Sequence, residues 1–278
     1  SPIRAGADIM HAGGSSSRRR ILSFLITAWT ALVGTQAQAA CDAPLQGDGQ
    51  VSAILDARTL RLDDGREVRL SGIEIPKSAE TAGTAWLREH ALKQRGMLRG
   101  SDDAPDRYGR QHAFVFADGS NVMLQGALGG NAHAIGSASA GDKACMADLK
   151  EAELRAESSR LGIWSQPGFI HDAAATGEIL KYIGSFGLVE GTILSARQAG
   201  ATLYLNFSRR RIQGFAVTIS RRMMPTFTAA GMTAATLAGQ RVRVRGWISQ
   251  HGGPRIEARL PGQIEFVSNT RTAAAGGK

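Results

Sequence analysis

Between Val51 and Lys77 the chain reads VSAILDARTLRLDDGREVRLSGIEIPK, and this stretch constrains the fold more than any other. Val51 to Leu55 is largely apolar and Thr59 to Leu62 alternates. Asp64-Gly65 is a hairpin dipeptide, after which Val68, Leu70 and Gly72 alternate with Arg69 and Ser71. Alternation at period two sends successive side chains to opposite faces of a strand, and Asp-Gly suits the tight turn between two strands. The stretch therefore predicts a β-meander whose polar side chains gather at one end. Pro76 has no N–H for a ladder and ends the last strand, and Ser78 can cap a helix whose first turn carries Glu80.

Downstream, Ser78 to Arg95 reads as a helix with Ala82, Trp86, Leu87 and Ala91 on its apolar side, closed by Gly96. A short strand from Met97 to Arg99 leads into the acidic loop SDDAPDRYGR, and His112 to Phe116 alternates as a strand ending at Asp118-Gly119. Ser120 caps a short helix with Val122, Leu124 and Leu128, and Gly129 to Gly141 has no clear periodicity. A third helix over Lys143 to Leu161 places Met146, Leu149, Ala152 and Ala156 at helical spacing and stops at Gly162-Ile163-Trp164. Ser165 to Gly177, with Pro167, Gly168 and an alanine run, reads as a linker.

A second unit follows. Strands are expected over 187–197, 202–207 and 214–219, a helical stretch over 224–237, the strand RVRVRGWI, and a strand pair through 256–267. Three strands, a helix and two strands is the order of a five-stranded OB barrel. The expected fold class is mainly β with helices (α+β), one OB-type barrel followed by another. The expected bounds are 1–39 for upstream residues and a signal peptide, 40–164 for the first domain, 165–177 for the linker, 178–268 for a basic OB-like domain and 269–278 for a disordered tail.

Residues 1–39 are set apart because SSSRRR, the apolar run Ile21 to Gly34 and TQAQAA form a positive segment, a hydrophobic segment and a small-residue cleavage signal. The apolar run is shorter than the roughly 20 residues a spanning helix needs. Cleavage after Ala39 and export to the periplasm or medium are the expectation. Beyond that point charge is uneven: residues 40–175 carry a net −4 and residues 176–278 a net +10. Cys41 and Cys145 are the only cysteines, which in an oxidising compartment predicts a disulfide; a lipid on Cys41 is the alternative. Two cysteines alone make no metal centre.

The strand Arg69 to Pro76, taken with Asp106-Arg107-Tyr108-Gly109-Arg110, resembles the staphylococcal nuclease (thermonuclease) family. The likeness spans about 47–164. LDARTLRL stands where the family has a D-G-D-T segment, VRLSGIEIPK stands for R-L-x-G-x-D-x-P-E, DRYGR is the family motif, and the helix ending in GIW closes the domain. The resemblance implies an OB-type barrel with helices and calcium-dependent cleavage of nucleic-acid phosphodiesters. It assigns Arg69 and Arg110 to a phosphate clamp, the catalytic pair. Glu74 stands at one metal-ligand position and Asp56 at the first Asp of D-G-D-T. Arg58 stands where the other metal-ligand Asp belongs, and Lys77 occupies the general-base position. A divalent ion would meet repulsion at Arg58, and a protonated lysine near its usual pKa of ~10.4 accepts no proton. Calcium use and hydrolysis are therefore in question, while Arg58, Arg69, Lys77 and Arg110 suit phosphate binding. An alternative is that Arg58 and Lys77 pair with Asp56, Glu74 and Glu80.

In the second unit, alternation in RVRVRGW puts Arg241, Arg243 and Arg245 on one strand face. Such a face suits a polyanion, and Trp247 beside it is a candidate stacking platform. Tyr204, Phe207 and Phe215 are expected in the core. The expected function is an exported, nuclease-like protein that binds DNA or RNA, with hydrolysis impaired by Arg58 and Lys77. Alternatives are an endonuclease using Arg69 and Arg110 with a non-standard metal or base, and an envelope protein binding another polyanion or a membrane surface.

Overall fold

A computed structural model of the chain describes residues 41–117, 123–138, 142–209 and 213–267. The expected signal segment and tail, Asp118 to Val122, Arg210 and Arg211 lie outside the described residues. The described residues fall in one compact unit, so the two halves expected as separate domains pack together.

The first half is built as expected from the meander. Strands β1 (Leu45–Asp56), β2 (Thr59–Leu62), β3 (Glu67–Leu70), β4 (Ile73–Glu74), β5 (Arg95–Arg99), β6 (Gln111–Ala117) and β7 (Ile135–Gly136) are interleaved with helices α1 (Glu80–His90), α2 (Leu124–Gly130) and α3 (Lys143–Ser158). Five strands close into a barrel in the order β1-β2-β3-β6-β5, and β4 pairs with β7 outside it. The inward set, including Leu60, Leu62, Val68, Leu70 and Leu98, is almost wholly withdrawn from water. Gly65 takes the predicted turn at φ +88°, a conformation that glycine enters without a Cβ clash.

Gly72 is tighter still: at φ +77°, a Cβ there would lie 2.7 Å from Leu149 Cδ1 and 2.9 Å from Met146 Sδ. A larger residue would hold α3 away from the strand end that carries Glu74. Helix α1 stops at His90, earlier than the apolar spacing suggests, because Arg95 and Gly96 pair with Gln50 and Gly49 of β1. A disulfide joins Cys41 to Cys145 and ties the start of the described chain to α3. That bond leaves no thiol on Cys41 to carry a lipid.

The second half contains β8 (Ile170–Asp172), α4 (Thr176–Ile179), β9 (Phe186–Thr192), β10 (Ser195–Ala199), β11 (Thr202–Asn206), β12 (Ala216–Ser220), α5 (Met224–Ala229), α6 (Ala234–Leu237), β13 (Arg241–His251), β14 (Gly253–Glu257) and β15 (Ile264–Phe266). The expected strand 187–197 divides into β9 and β10 at buried Ile193, where the chain turns a corner. The expected helix 224–237 divides at Gly231, whose φ is +75°. Pairing runs β10-β11-β12-β14-β13-β9, with β12 and β14 parallel. With β9 and β10 taken as one bent strand, this is the path of the first barrel. Within the stretch expected as a linker, β8 pairs in parallel with β9.

Leu188 of β9 is buried with Ala79, Ala132, Ile135, Ala156 and Ile163 of the first half. Apolar packing thus continues from one ring of strands to the other. Among the described residues no helix is long and apolar enough to cross a membrane.

Candidate functional site

The polar end of the meander folds into a tight set of contacts. Asp56 accepts the Arg58 backbone N–H at 2.7 Å on Oδ1 and the Thr59 hydroxyl at 3.0 Å on Oδ2. A short polar side chain bonding two residues onward is the ordinary device for turning a chain between strands. Arg58 donates from Nε to the Leu70 carbonyl at 3.2 Å, and its guanidinium forms an ion pair with Glu74. Both side chains are largely shielded, at 12% and 15% exposure. Of the two open readings of Arg58, the internal ion pair is the one found. Lys77 is exposed at the start of a 3-10 turn, and neither cleft bordering Arg58 and Glu74 includes it among its walls.

Arg110 is also held. Its Nε and Nη2 donate to Asp106 Oδ2 at 3.0 and 2.7 Å, and its guanidinium carbon stands 4.9 Å from the Tyr108 ring centre. The Arg110 hydrogen bonds, and after them those from the backbone and His112, keep the Asp106 carboxyl far below the ordinary carboxylate range despite some desolvation. Asp106 also accepts the Tyr108 and Arg110 backbone N–H groups, so the DRYGR loop is shaped around one carboxylate.

Arg69 differs from both. Its Nη1 donates to Thr59 Oγ1 at 3.2 Å, but no carboxylate makes an ion pair with it among the described residues. Burial, then the neighbouring Arg58 and Arg110 cations, hold its pKa below the usual arginine value, while Asp56 and Glu74 act in the opposite sense. A guanidinium does not deprotonate in proteins; the shift therefore signifies a half-buried positive charge beside other cations that its neighbouring carboxylates do not fully balance.

A cleft of about 540 Å³ opens on this group, lined by Asp56, Arg58, Arg69, Glu74, Arg88 and, from the second half, Trp247. The indole is 57% exposed and meets Phe186 edge-on at 5.9 Å. Sequence alternation correctly places Trp247 on the same strand face as the three arginines, but gives no sign that this face turns toward the first barrel.

That orientation corrects the expected nucleic-acid-binding face. Arg245 is 3% exposed and donates to Glu153 at 2.8 and 3.0 Å, to Glu265 at 2.5 Å and to the Gly136 carbonyl at 2.8 Å. Arg243 makes a two-pronged pair with Glu157, both contacts 2.8 Å, and also reaches Glu190. Arg241 pairs with Glu190 at the more exposed rim. Burial works against the charges on Arg243 and Arg245, but their carboxylate partners more than offset it and raise both pKa values. Arg243 and Arg245 therefore join the halves. A signal for this lay in α3: Glu153 occupies the stripe of Leu149, Ala152 and Ala156, and a carboxylate on an apolar stripe requires a cation opposite it.

Calcium fits poorly here. The metal requires several oxygen donors, whereas Asp56 is occupied in a turn and Glu74 is already neutralised by a tethered guanidinium. Among the described residues, no group of three or more His, Cys, Asp or Glu side chains could hold a metal ion.

No curated protein matches the chain. Residues 67–166 match the family model of staphylococcal nuclease homologues. That span takes in Arg69, Glu74, Lys77, the DRYGR loop and α3, and leaves out β1, β2 and the second sheet. The chain thus contains a staphylococcal-nuclease-like domain, whose closed five-strand barrel it completes with strands upstream of the match.

Proposed function

We propose that this protein is exported and binds nucleic acid through the cleft at Arg69, and that calcium-dependent phosphodiester hydrolysis is lost or strongly impaired. The observation carrying this reading is the division of labour among the three arginines. Arg58 is paired with Glu74, Arg110 with Asp106, and Arg69 has no paired carboxylate. A phosphate oxygen at Arg69 supplies the missing anion as a charge-assisted hydrogen bond, and a base can lie against exposed Trp247.

Arg58 supports the loss of metal chemistry physically. A divalent ion reaching Glu74 has to displace a cation attached to the same barrel, and repulsion from that cation remains after displacement. Lys77, exposed and outside the cleft walls, gives no substitute base within reach of Arg69.

Cleavage and binding assays on single- and double-stranded DNA and RNA, with and without calcium, test the two parts. The expected result is binding without calcium-stimulated cleavage, weakened about tenfold or more by Arg69→Ala, as loss of a charged hydrogen bond predicts. Arg58→Asp is expected to permit calcium binding, read by calorimetry. Calcium-stimulated cleavage that disappears in Arg69→Ala and Arg110→Ala would establish a working nuclease and overturn the claim of lost hydrolysis.

A further inference from the structure

The outer face of β10, β11, β12 and β14 carries a second basic hollow, sharing no wall with the cleft at Arg69. Strand register brings its residues together. Arg197 lies opposite Tyr204, Asn206 opposite Ala216, and Ala216 opposite Arg255. The alternate residues Leu203, Leu205, Val217 and Ile256 are buried in the core. Between the large side chains, Ala216 and Gly214 leave a hollow of about 270 Å³, closed at one end by the turn from His251 to Pro254. The turn is pressed onto the neighbouring chain: a Cβ at Gly253 would lie 2.4 Å from the Gly214 carbonyl oxygen.

Arg255 stands with its guanidinium carbon 5.5 Å from the Tyr204 ring centre and donates from Nη2 to the His251 carbonyl at 3.3 Å. Its Nε is buried and has no hydrogen-bond partner among the described residues. Buried donors are nearly always satisfied, so an orphaned N–H on an arginine that lines the hollow marks a place short of acceptors. Among the described residues the second half does not supply one. Its five carboxylates are engaged elsewhere: Asp172 with the Ala174 N–H, Glu178 with Lys181, Glu190 with Arg241 and Arg243, Glu257 with Arg259, and Glu265 with Arg245 and Lys150. Among the described residues no carboxylate lines the hollow, whereas Glu74, Asp102, Asp106, Asp142 and Glu257 line the larger cleft between the two sheets.

Resting on the reading that the protein binds nucleic acid, we infer that this hollow holds one nucleotide of a single strand. Arg197 and Arg255 bind phosphate oxygens, and Tyr204 supports the sugar or base. The hollow admits a splayed nucleotide and not the width of a duplex. A tyrosine face is useful only to a base already unstacked from its neighbours. The site is a second contact, separate from Arg69.

Fluorescence anisotropy of the purified protein with labelled oligothymidine, over a series of salt concentrations, tests the assignment. Arg197→Ala/Arg255→Ala is expected to weaken binding about 10- to 100-fold. The slope of log affinity against log salt should become shallower by about 1.4, or about 0.7 for each lost phosphate contact on a single strand. Ala216→Leu fills the hollow without changing charge and should weaken binding in the same direction.

Unchanged affinity and slope in both variants, with Arg69→Ala still weakening binding, would overturn this inference and leave the reading of Arg69 standing. Loss in these variants but not in Arg69→Ala would do the reverse. Equal effects on a duplex, or binding by these arginines to anionic vesicles in place of the oligonucleotide, would also overturn it.

Discussion

Arg69 and Arg245 lie on strands of two sheets that follow the same path, Arg69 half-buried and Arg245 buried, and their surroundings are opposite. Arg245 has Glu153, Glu265 and a backbone carbonyl within hydrogen-bonding distance. Arg69 has one threonine hydroxyl, two neighbouring cations, and the charges of Asp56 and Glu74, which are themselves engaged by Thr59 and Arg58. The first arrangement is a fastening, in which each desolvated charge is met by another. The second leaves room for an anion from outside. Position on an alternating strand does not separate an unpaired arginine from a paired one; the supply of carboxylates does. The strand RVRVRGW, with three arginines in seven residues, is mostly fastening, and its exposed Trp247 is what reaches the cleft.

The largest effect that would sharpen this contrast is on stability. Arg245→Ala leaves Glu153 buried without its partner and is expected to cost about 3–5 kcal/mol in chemical denaturation. Arg241→Ala, at the exposed rim, should cost no more than about 1 kcal/mol. Replacing Arg245 and Glu153 together by apolar residues of similar volume should recover most of the loss, as found for buried ion pairs generally. A small cost for Arg245→Ala alone would break the distinction between fastening and binding arginines.

Next in size is the covalent tie confined to the first half. Removing the bridge with Cys41→Ser/Cys145→Ser is expected to destabilise the protein by about 2–5 kcal/mol, since the closed loop has a sequence separation of 104 residues. Melting followed by circular dichroism checks this, and an unchanged midpoint would show that the first ring does not rely on the bridge.

The smallest expected effect is on pH dependence. Burial raises the Glu153 pKa, but the Arg245 hydrogen bond and charge, with help from Lys150 and the Gly136 N–H, carry it below the ordinary 4.5. A depressed folded-state pKa means that the carboxylate stabilises the protein above the unfolded value, and that this contribution fades as pH falls through the lower, folded value. Stability should therefore drop with acidification below about pH 4.5, the ordinary value for Glu153, and Glu153→Gln should flatten that part of the profile. Equal slopes for the two proteins would show that the pair does not titrate with folding.

Much of the fold was legible because it rests on local chemistry. The Asp64-Gly65 turn, the alternation around Val68 and Leu70, and the helical stripe of Leu149, Ala152 and Ala156 each fix an element without reference to distant residues. Boundaries failed where a distant partner intervened. Helix α1 ends at His90 because β1 takes up Arg95 and Gly96. The stretch 165–177 contains a strand because β9 offers an edge to Ile170. For the site, Arg69, Arg58, Glu74, Arg110 and Trp247 were all identifiable as residues; the Arg58–Glu74 pair was one of two open readings, and the pairing of Arg110 with Asp106 was not foreseen. Tyr204 was expected in the core and instead shares the outer face with Arg255, because register in the folded sheet sets which alternate residues face inward.

Read alone, the residues specify the two sets of strands, the resemblance of the first to staphylococcal nucleases and the surplus of cations in the second. These follow from side-chain period, turn chemistry and composition, which are local or additive. Only the tertiary structure decided which of those cations are neutralised. An ion pair such as Arg58–Glu74 or Arg245–Glu153 depends on two side chains being brought within hydrogen-bonding distance and shielded from water. That shielding belongs to the packed molecule, and it separates Arg69 and Arg255, which lack a paired carboxylate, from the arginines that hold the halves together.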